Sequence, residues 1–500
     1  MKLSQILSLV NTSFDAKISN PDSIEITSIE IDSRLVKPGS IFFALPGKTK
    51  DGSEFINDAI KNGASAIITK SSPLTTHHLP LIIVSDPFSF LVEVLKIFYA
   101  NLPKNIYAIT GTNGKTSTAE FTRQICGFLG KKSTSIGTLG VNCEAEIKEH
   151  LQTSSLTTPD IVSLYKNLSL LKKFGVDDVA IEVSSIGLEQ KRIAGLEVAI
   201  GAFTNFTQDH LDYHASMAEY FACKMILFKD VLPQNGVAVI NSDIEQFSQI
   251  KEICDSRKLR IIEYGFKSQD LRLEKIEPHN LGQKVFFSYK QKNYIFDLEV
   301  SGDFQAFNAL CALGNVLAKN DLNQRQIEEL LQNFPKLRSA AGRMEKVATL
   351  ENSAQIFIDF AHTPDALINV LNLARNITKN AQKGRVVILF GCGGNRDPKK
   401  RPIMGKIACD LADLVIVSDD NPRHEKAAEI RREILTSCDM TKTIEVDDRK
   451  VAINKAVNML QPYDILILAG KGHEKYQIIG DEKFVFDEEE IVKNVIGKSS

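Results

Sequence analysis

Apolar residues recur along this chain in two rhythms. Short unbroken runs, rich in β-branched side chains and closed by glycine, proline or polar residues, predict buried strands. They are "IFFALPG" after Lys37-Pro38-Gly39, "ASAIITK" and "LPLIIVS"; then "IYAIT", "DDVAIEVS", "VAIGAFTNF" and "GVAVINS"; and finally "QIFIDF", "RVVILF", "LADLVIVS" and "YDILILA". Between them apolar positions fall at helical spacing, as at Leu3, Ile6, Leu7 and Val10, from Phe90 to Tyr99, and at Phe121, Ile125, Phe128 and Leu129. Strand, turn and helix thus alternate, the pattern of parallel, doubly wound sheets. The rhythm breaks at Asn101-Leu102-Pro103-Lys104-Asn105 and again near Pro335-Lys336-Leu337-Arg338. It changes once, where "KVFFSYKQKNYIFDLEV" alternates and predicts a hairpin turning at Gln291-Lys292-Asn293.

Composition narrows the ligand class. The 60 basic and 62 acidic residues leave a net charge of -2 over 500 residues, so no overall polyelectrolyte attraction to nucleic acid or anionic lipid is expected. Phosphate affinity must come from local sites. The eight cysteines include no Cys-x-x-Cys pair and read as small core residues in a reducing compartment. The N-terminal stripe meets Asp15 too soon for a secretory or membrane segment. These features predict a soluble, cytoplasmic protein without nucleic-acid or membrane partners.

Ligands of open α/β sheets gather beyond the carboxyl ends of strands, so the chemistry is sought there. "YAITGTNGKTSTAEF" places Gly111-Thr112-Asn113-Gly114-Lys115-Thr116-Ser117 between a strand and a helix. Glycines let backbone N-H groups face an anion, Lys115 can meet β- and γ-phosphate oxygens, and the Thr116 hydroxyl can hold Mg²⁺. Ile109 stands where the full phosphate-loop spacing has its first glycine. "VAIEVSS" leaves Glu182 at a strand end, and "AFTNFTQDHLDYH" presents Asp209, His210, Asp212 and His214, a set suited to a divalent metal. The helix "SMAEYFACKMILFKD" opens with Ser216 and Glu219 as a predicted capping box and carries Lys224 on its apolar face with Tyr220, Phe221, Leu227 and Phe228. Such a lysine either snorkels to water or points at the sheet ends with a lowered pKa. Further on, "IDFAHTPDAL", "LFGCGGNRDPKKRP", "SDDNPR" and "LAGKGHE" put arginines and carboxylates at neighbouring strand ends, a combination suited to a zwitterion.

Taken together, "GTNGKTS", "TTP", "EVSS", "DHLDYH", "GRME", "AHTPDAL", "FGCGGNRD", "DDNPR" and "GKGHE" resemble, in order and separation, the motifs of the Mur ligases, ATP-dependent amide-forming enzymes of peptidoglycan synthesis. The resemblance covers nearly the whole chain. It implies an α/β protein of three domains: a nucleotide-sugar-binding domain at 1–101, a central phosphate-loop ATPase domain with a doubly wound sheet at 102–337, and a C-terminal Rossmann-like amino-acid domain at 338–500. It implies ATP as co-substrate, Mg²⁺, an acyl-phosphate intermediate and a monomer. On this likeness Lys115 and Thr116 hold phosphates and metal, Glu182 and His210 help place the metals, and Lys224 matches a lysine carbamylated by CO₂ that helps hold a second Mg²⁺. Asn308, Arg343 and Asp359 match adenine, γ-phosphate and ribose contacts. Ile31, Ser33, Lys48, Thr49 and Lys50 would meet the uridine diphosphate, and Thr157, Thr158, Ser184, Gln190 and Arg192 the muramoyl dipeptide.

Two positions depart from the family pattern: Ile186 stands where histidine is usual and Gln305 where asparagine is usual. The choice of added amino acid rests on chemistry as well as likeness. meso-Diaminopimelate brings a distal carboxylate that lysine lacks, so an arginine in the pocket suits only the former, and the "DDNPR" form is associated with diaminopimelate-adding members. Arg396 and Arg423 are the expected carboxylate clamps, Asp420 and Glu474 face the ammonium, and Asn421, Pro422 and Gly470 complete the pocket. The alternatives are the same ligation with L-lysine, a folylpolyglutamate-type or dipeptide-adding ligase, and a nucleotide-binding regulatory module without ligation.

Overall fold

A computed structural model describes the chain except residues 17, 19, 48, 49, 72–78, 153, 155, 280, 281, 301, 381–383 and 500, and the side chains of 380, 498 and 499. Lys48 and Thr49 therefore lie outside the described residues. The predicted apolar runs form strands in three separate α/β sheets. The N-terminal sheet has five strands in the order Phe14–Ala16, Leu81–Val84, Ala66–Thr69, Ser40–Phe43, Ser28–Glu30, and only its Phe14–Ala16 edge is antiparallel.

The central sheet is built outward from Asn105–Thr110, which lies between Val198–Phe203 and Asp178–Glu182, all parallel. The chain leaves this middle strand with neighbours on both sides, so the turn after Thr110 opens at a switch point of the sheet, where loops diverge and leave a crevice. Strands Val237–Asn241 and Arg260–Gly265 extend it in parallel, and Leu271–His279, Gly282–Tyr289 and Lys292–Leu298 finish it as a meander. The hairpin turns at Lys290-Gln291, one residue earlier than the sequence predicts. Both residues are left-handed, at φ 48° and 62°, as a two-residue turn matched to strand twist requires.

The C-terminal sheet orders Glu345–Thr349, Gln355–Asp359, Ile465–Ala469, Val386–Phe390, Leu414–Val417 and Thr443–Glu445, antiparallel only at its first pair. Ile465–Ala469 sits between the two earliest parallel strands, creating a second switch point beside Asp359 and Gly470. Strand interiors in both sheets are sealed, with Ile109, Ile181, Ala202, Ile388, Val417 and Leu468 fully buried. The core thus fixes strand ends while leaving their loops to carry polar groups. No helix among the described residues is long and apolar enough to cross a membrane.

Candidate active site

The two switch points face each other across a cavity of about 630 Å³ lined from both sheets. On the central side Ile109 is a core strand residue, so the loop begins only at Gly111. Gly111 has φ 141°, and a Cβ there would collide with the Thr204 hydroxyl. Asn113 N donates to Asn205 Oδ1 (2.8 Å), and the helix Lys115–Phe128 starts directly after Gly114. Lys115 Nζ folds back onto the loop, donating to Thr112 O (2.6 Å) and Gly111 O (3.0 Å). Burial lowers its pKa.

Lys224 does not snorkel. It is 1% exposed, donates to the same Gly111 carbonyl at 2.7 Å and lies 4.4 Å from the Tyr220 ring centre. Burial, and after it the Lys115 charge, hold its pKa well below the ordinary value. Its helix, Met217–Ile226, is capped by Ser216 Oγ accepting from Glu219 N, but the Glu219 carboxylate accepts from Ala215 N, so the predicted reciprocal capping box is not closed at Ser216.

Glu182 is 2% exposed and accepts from Thr116 Oγ1 (2.9 Å), Thr138 N (2.9 Å) and Thr138 Oγ1 (3.2 Å). His210, left-handed at φ 54°, has Nε2 3.5 Å from Asp209 Oδ2. Burial lowers its pKa to about 4, outweighing the Asp209 charge, so its imidazole is neutral near pH 7. Burial opposes ionisation of Asp209, yet His362 and His210 hold its carboxyl well below the ordinary range. No cluster of three or more His, Cys, Asp or Glu side chains converges as a finished cation cage among the described residues. A hydroxyl, one carboxylate and a neutral imidazole beside a phosphate loop nevertheless fit Mg²⁺, which keeps most of its own water and takes the rest of its shell from phosphates.

The C-terminal side closes onto this loop. Arg343 Nη2 donates to Thr116 Oγ1 (3.1 Å), Asn113 Nδ2 to Asp365 Oδ2 (2.9 Å) and Gln208 Nε2 to Asp397 Oδ2 (3.2 Å), while Arg396 lies 3.7 Å from Asp212. Asp359 accepts from Met344 N and Ala361 N, and burial raises its pKa to about 6. The turn after Leu414–Val417 divides its two carboxylates. Asp419 turns sideways to Arg431. Asp420 turns inward, 3.6 Å from Lys471 Nζ, where Lys471 overrides burial and keeps its carboxyl low. Glu474 accepts from Asn421 Nδ2 (2.8 Å), and burial and then Asp420 raise its pKa. Arg423 donates to Gly394 O (2.9 Å), and no carboxylate among the described residues lies within 4.0 Å of its guanidinium.

Three family models match the chain: a Mur ligase family catalytic domain over 25–95, a Mur ligase middle domain over 109–316, and a Mur ligase, glutamate ligase domain over 342–472. A relative from Rickettsia bellii, named UDP-N-acetylmuramoyl-L-alanyl-D-glutamate--2,6-diaminopimelate ligase, is 42% identical over 93% of this chain and 95% of its own length. The chain belongs to the Mur ligase family. A relative of the same name from Brucella melitensis is 41% identical over 93% of both chains. A solved structure titled with that name superimposes with TM-score 0.67 at 28% identity, covering 100% of this chain and 99% of the other. A Mycobacterium tuberculosis folylpolyglutamate synthase, at 16% identity and TM-score 0.61, shares the fold over 76% of this chain.

In this Mur ligase the cavity collects most of the residues expected from sequence: Thr112 to Ser117, Glu182, His210 and Asn308 from the central side, and Arg343, Asp359, Arg396, Asp420, Asn421, Arg423, Gly470 and Glu474 from the C-terminal side. Lys224 sits just beneath it, on the Gly111 carbonyl. Thr157 and Ser184 also line it. They continue into a chain in which Thr158 Oγ1 donates to Glu182 O (3.0 Å) and Arg192 donates to Thr158 O (2.7 Å) and Gln190 Oε1 (2.6 Å). Ile31, Ser33 and Lys50 belong to the N-terminal unit and are not among its lining residues. Gln305, 1% exposed, accepts from Asn308 Nδ2 at 3.2 Å and so orients that amide. The sequence offers Asp209 as one member of a metal-suited set, and gives no individual role to His362, Asp365 or Lys471. Lys471 is visible in "GKGHE", but only the fold shows its amine fully buried between Asn421 Oδ1 (3.0 Å) and Tyr476 O (2.8 Å).

Proposed function

We propose that this Mur ligase joins meso-2,6-diaminopimelate to UDP-N-acetylmuramoyl-L-alanyl-D-glutamate, with ATP converted to ADP and phosphate, in cytoplasmic cell-wall precursor synthesis. The observation that carries the choice of amino acid is Arg423. Its guanidinium lines the cavity with Arg396 nearby, anchored on Gly394 O and, among the described residues, paired directly with no carboxylate, so it can grip one from a ligand. Asp420 and Glu474 lie on the same wall to receive an ammonium. L-Lysine would leave Arg423 without a ligand carboxylate to grip, while Arg396 keeps Asp212 at 3.7 Å.

The domain limits proposed are 1–101, 102–337 and 338–500. Ile31, Ser33 and Lys50 are assigned to the uridine diphosphate, and Thr157, Thr158, Ser184, Gln190 and Arg192 to the muramoyl dipeptide. The phosphate loop and Lys115 orient the ATP phosphates, with Arg343 reaching the same spot from the C-terminal side. The dipeptide's terminal carboxylate attacks the γ-phosphorus and ADP leaves. The amine of the amino acid then attacks the acyl carbon, and the collapsing tetrahedral intermediate expels phosphate. Thr116, Glu182 and His210 would hold Mg²⁺, which supplies positive charge to the phosphate oxygens when bound. Lys224 is assigned as the carbamylated lysine: burial and the neighbouring Lys115 charge disfavour its ammonium form, and a carbamate there would be attracted by Lys115. The test is phosphate release with ATP, Mg²⁺, the UDP-linked dipeptide and single amino acids. Turnover with meso-diaminopimelate and not L-lysine is expected, and the reverse would overturn the assignment.

A further inference from the structure

Strands Tyr476–Ile479 and Glu482–Val485 form a two-stranded ribbon apart from the three large sheets. Its second strand is exposed throughout, Val485 to 92%. A lone ribbon of this kind is marginal by itself. Its first strand docks instead on the turn Asp420-Asn421-Pro422-Arg423. Arg423 N donates to Ile478 O (3.1 Å) and Gly480 N donates to Arg423 O (2.8 Å), an isolated parallel bridge. Ile478 N donates to Asn421 Oδ1 (2.9 Å), and Gln477 Nε2 to Asp420 O (2.7 Å).

The docking opposes backbone strain, because Arg423 is left-handed at φ 52°, a conformation that costs a side-chain-bearing residue about 1 kcal/mol or more. The ribbon's bonds hold it there. Gln477 itself does not line the cavity, and its amide reaches the turn through a main-chain oxygen 57 residues away. Removing the amide withdraws its hydrogen bond from the Asp420 carbonyl and loosens the segment that aims Arg423.

We propose that Gln477 is a positioning residue for amino-acid selection: through the Asp420 carbonyl it fixes the turn that presents Arg423 to the incoming amino acid. The identity of that amino acid rests on the function proposed above. The test substitution is Gln477→Met, which keeps length and apolar stem and deletes the donor. The KM for meso-diaminopimelate should rise at least roughly tenfold, while those for ATP and the UDP-linked dipeptide stay within about twofold. In an Arg423→Ala background the same substitution should change the diaminopimelate KM by less than about twofold, since no guanidinium is left to aim. An unchanged diaminopimelate KM, a parallel rise in all three KM values, or the full effect in both backgrounds would each overturn the inference. Should Gln477→Met fail to fold, Gln477→Asn, whose shorter amide cannot reach the same carbonyl, is read by the same criteria. The unsubstituted enzyme is run in parallel. Turnover of L-lysine alone would overturn the functional reading and this inference with it, whereas diaminopimelate turnover insensitive to Gln477 sinks only the inference.

Discussion

Lys224→Ala tests the centre of the site. Lys115 and Lys224 donate to one carbonyl oxygen at 3.0 and 2.7 Å, so their nitrogens are at most the sum of those lengths, 5.7 Å, apart. Two ammonium charges at that distance repel by about 3 kcal/mol at an effective dielectric constant near 20. A neutral Lys224 removes the repulsion; a carbamate turns it into an attraction of about the same size. If that anion supports the phosphate-transfer site, its loss should lower kcat roughly a hundredfold, at about 1.4 kcal/mol per factor of ten. The assay is steady-state phosphate release by Lys224→Ala, with and without added formate or acetate, beside magnetic resonance of the parent enzyme equilibrated with isotopically labelled bicarbonate. Partial rescue by the small carboxylates and a labelled carbonyl signal that vanishes in the variant are expected. A variant that keeps more than about a third of kcat, with no labelled signal in the parent, would refute the reasoning.

Arg423→Ala should raise the KM for diaminopimelate by an amount worth roughly 2–4 kcal/mol and leave that for ATP nearly unchanged, measured by the same phosphate assay. Arg449 and Glu488 are both buried and paired at 2.7 Å, with Arg449 also donating to Ala469 O at 2.8 Å. Arg449→Met alone should cost about 3–5 kcal/mol in urea unfolding, because it leaves a buried carboxylate uncompensated, and the double variant Arg449→Met, Glu488→Met should cost less. His473 is held by burial at about 4, below its ordinary 6.5. Between those values the unfolded chain binds a proton that the folded one refuses, so stability falls as pH falls. His473→Gln should flatten the slope of unfolding free energy in that window by at most about 1.4 kcal/mol per pH unit.

Strands and strand-end chemistry are legible in the sequence because both are local. A run such as "LVIV" must be buried, and the polar residues next to it must lie at a sheet end, so the phosphate loop, Glu182, His210 and Arg423 stand out as candidates before any strand pairing is known. Local signals fail where a backbone shape lacks its usual residue. The Lys290-Gln291 turn contains neither glycine nor asparagine, although both residues are left-handed, and so the sequence pattern places the turn one residue too late. The groups that support the site are illegible for a different reason. Gln477 meets Asp420 across 57 residues, and Asn113 meets Asp365 across 252. No spacing rule spans such separations, because the first pair become neighbours only when the ribbon docks on a turn of the C-terminal sheet, and the second only when the central and C-terminal sheets close on one another. The same argument separates Asp419 from Asp420: adjacent carboxylates at one strand end look equivalent until the fold supplies Arg431 beside the first and Lys471 beside the second. A variant at Arg423 therefore probes chemistry the sequence announces, while one at Gln477 probes a dependence that exists only in the folded chain. If the two substitutions prove non-additive, amino-acid selection belongs to the docked pair of turn and ribbon rather than to the arginine alone.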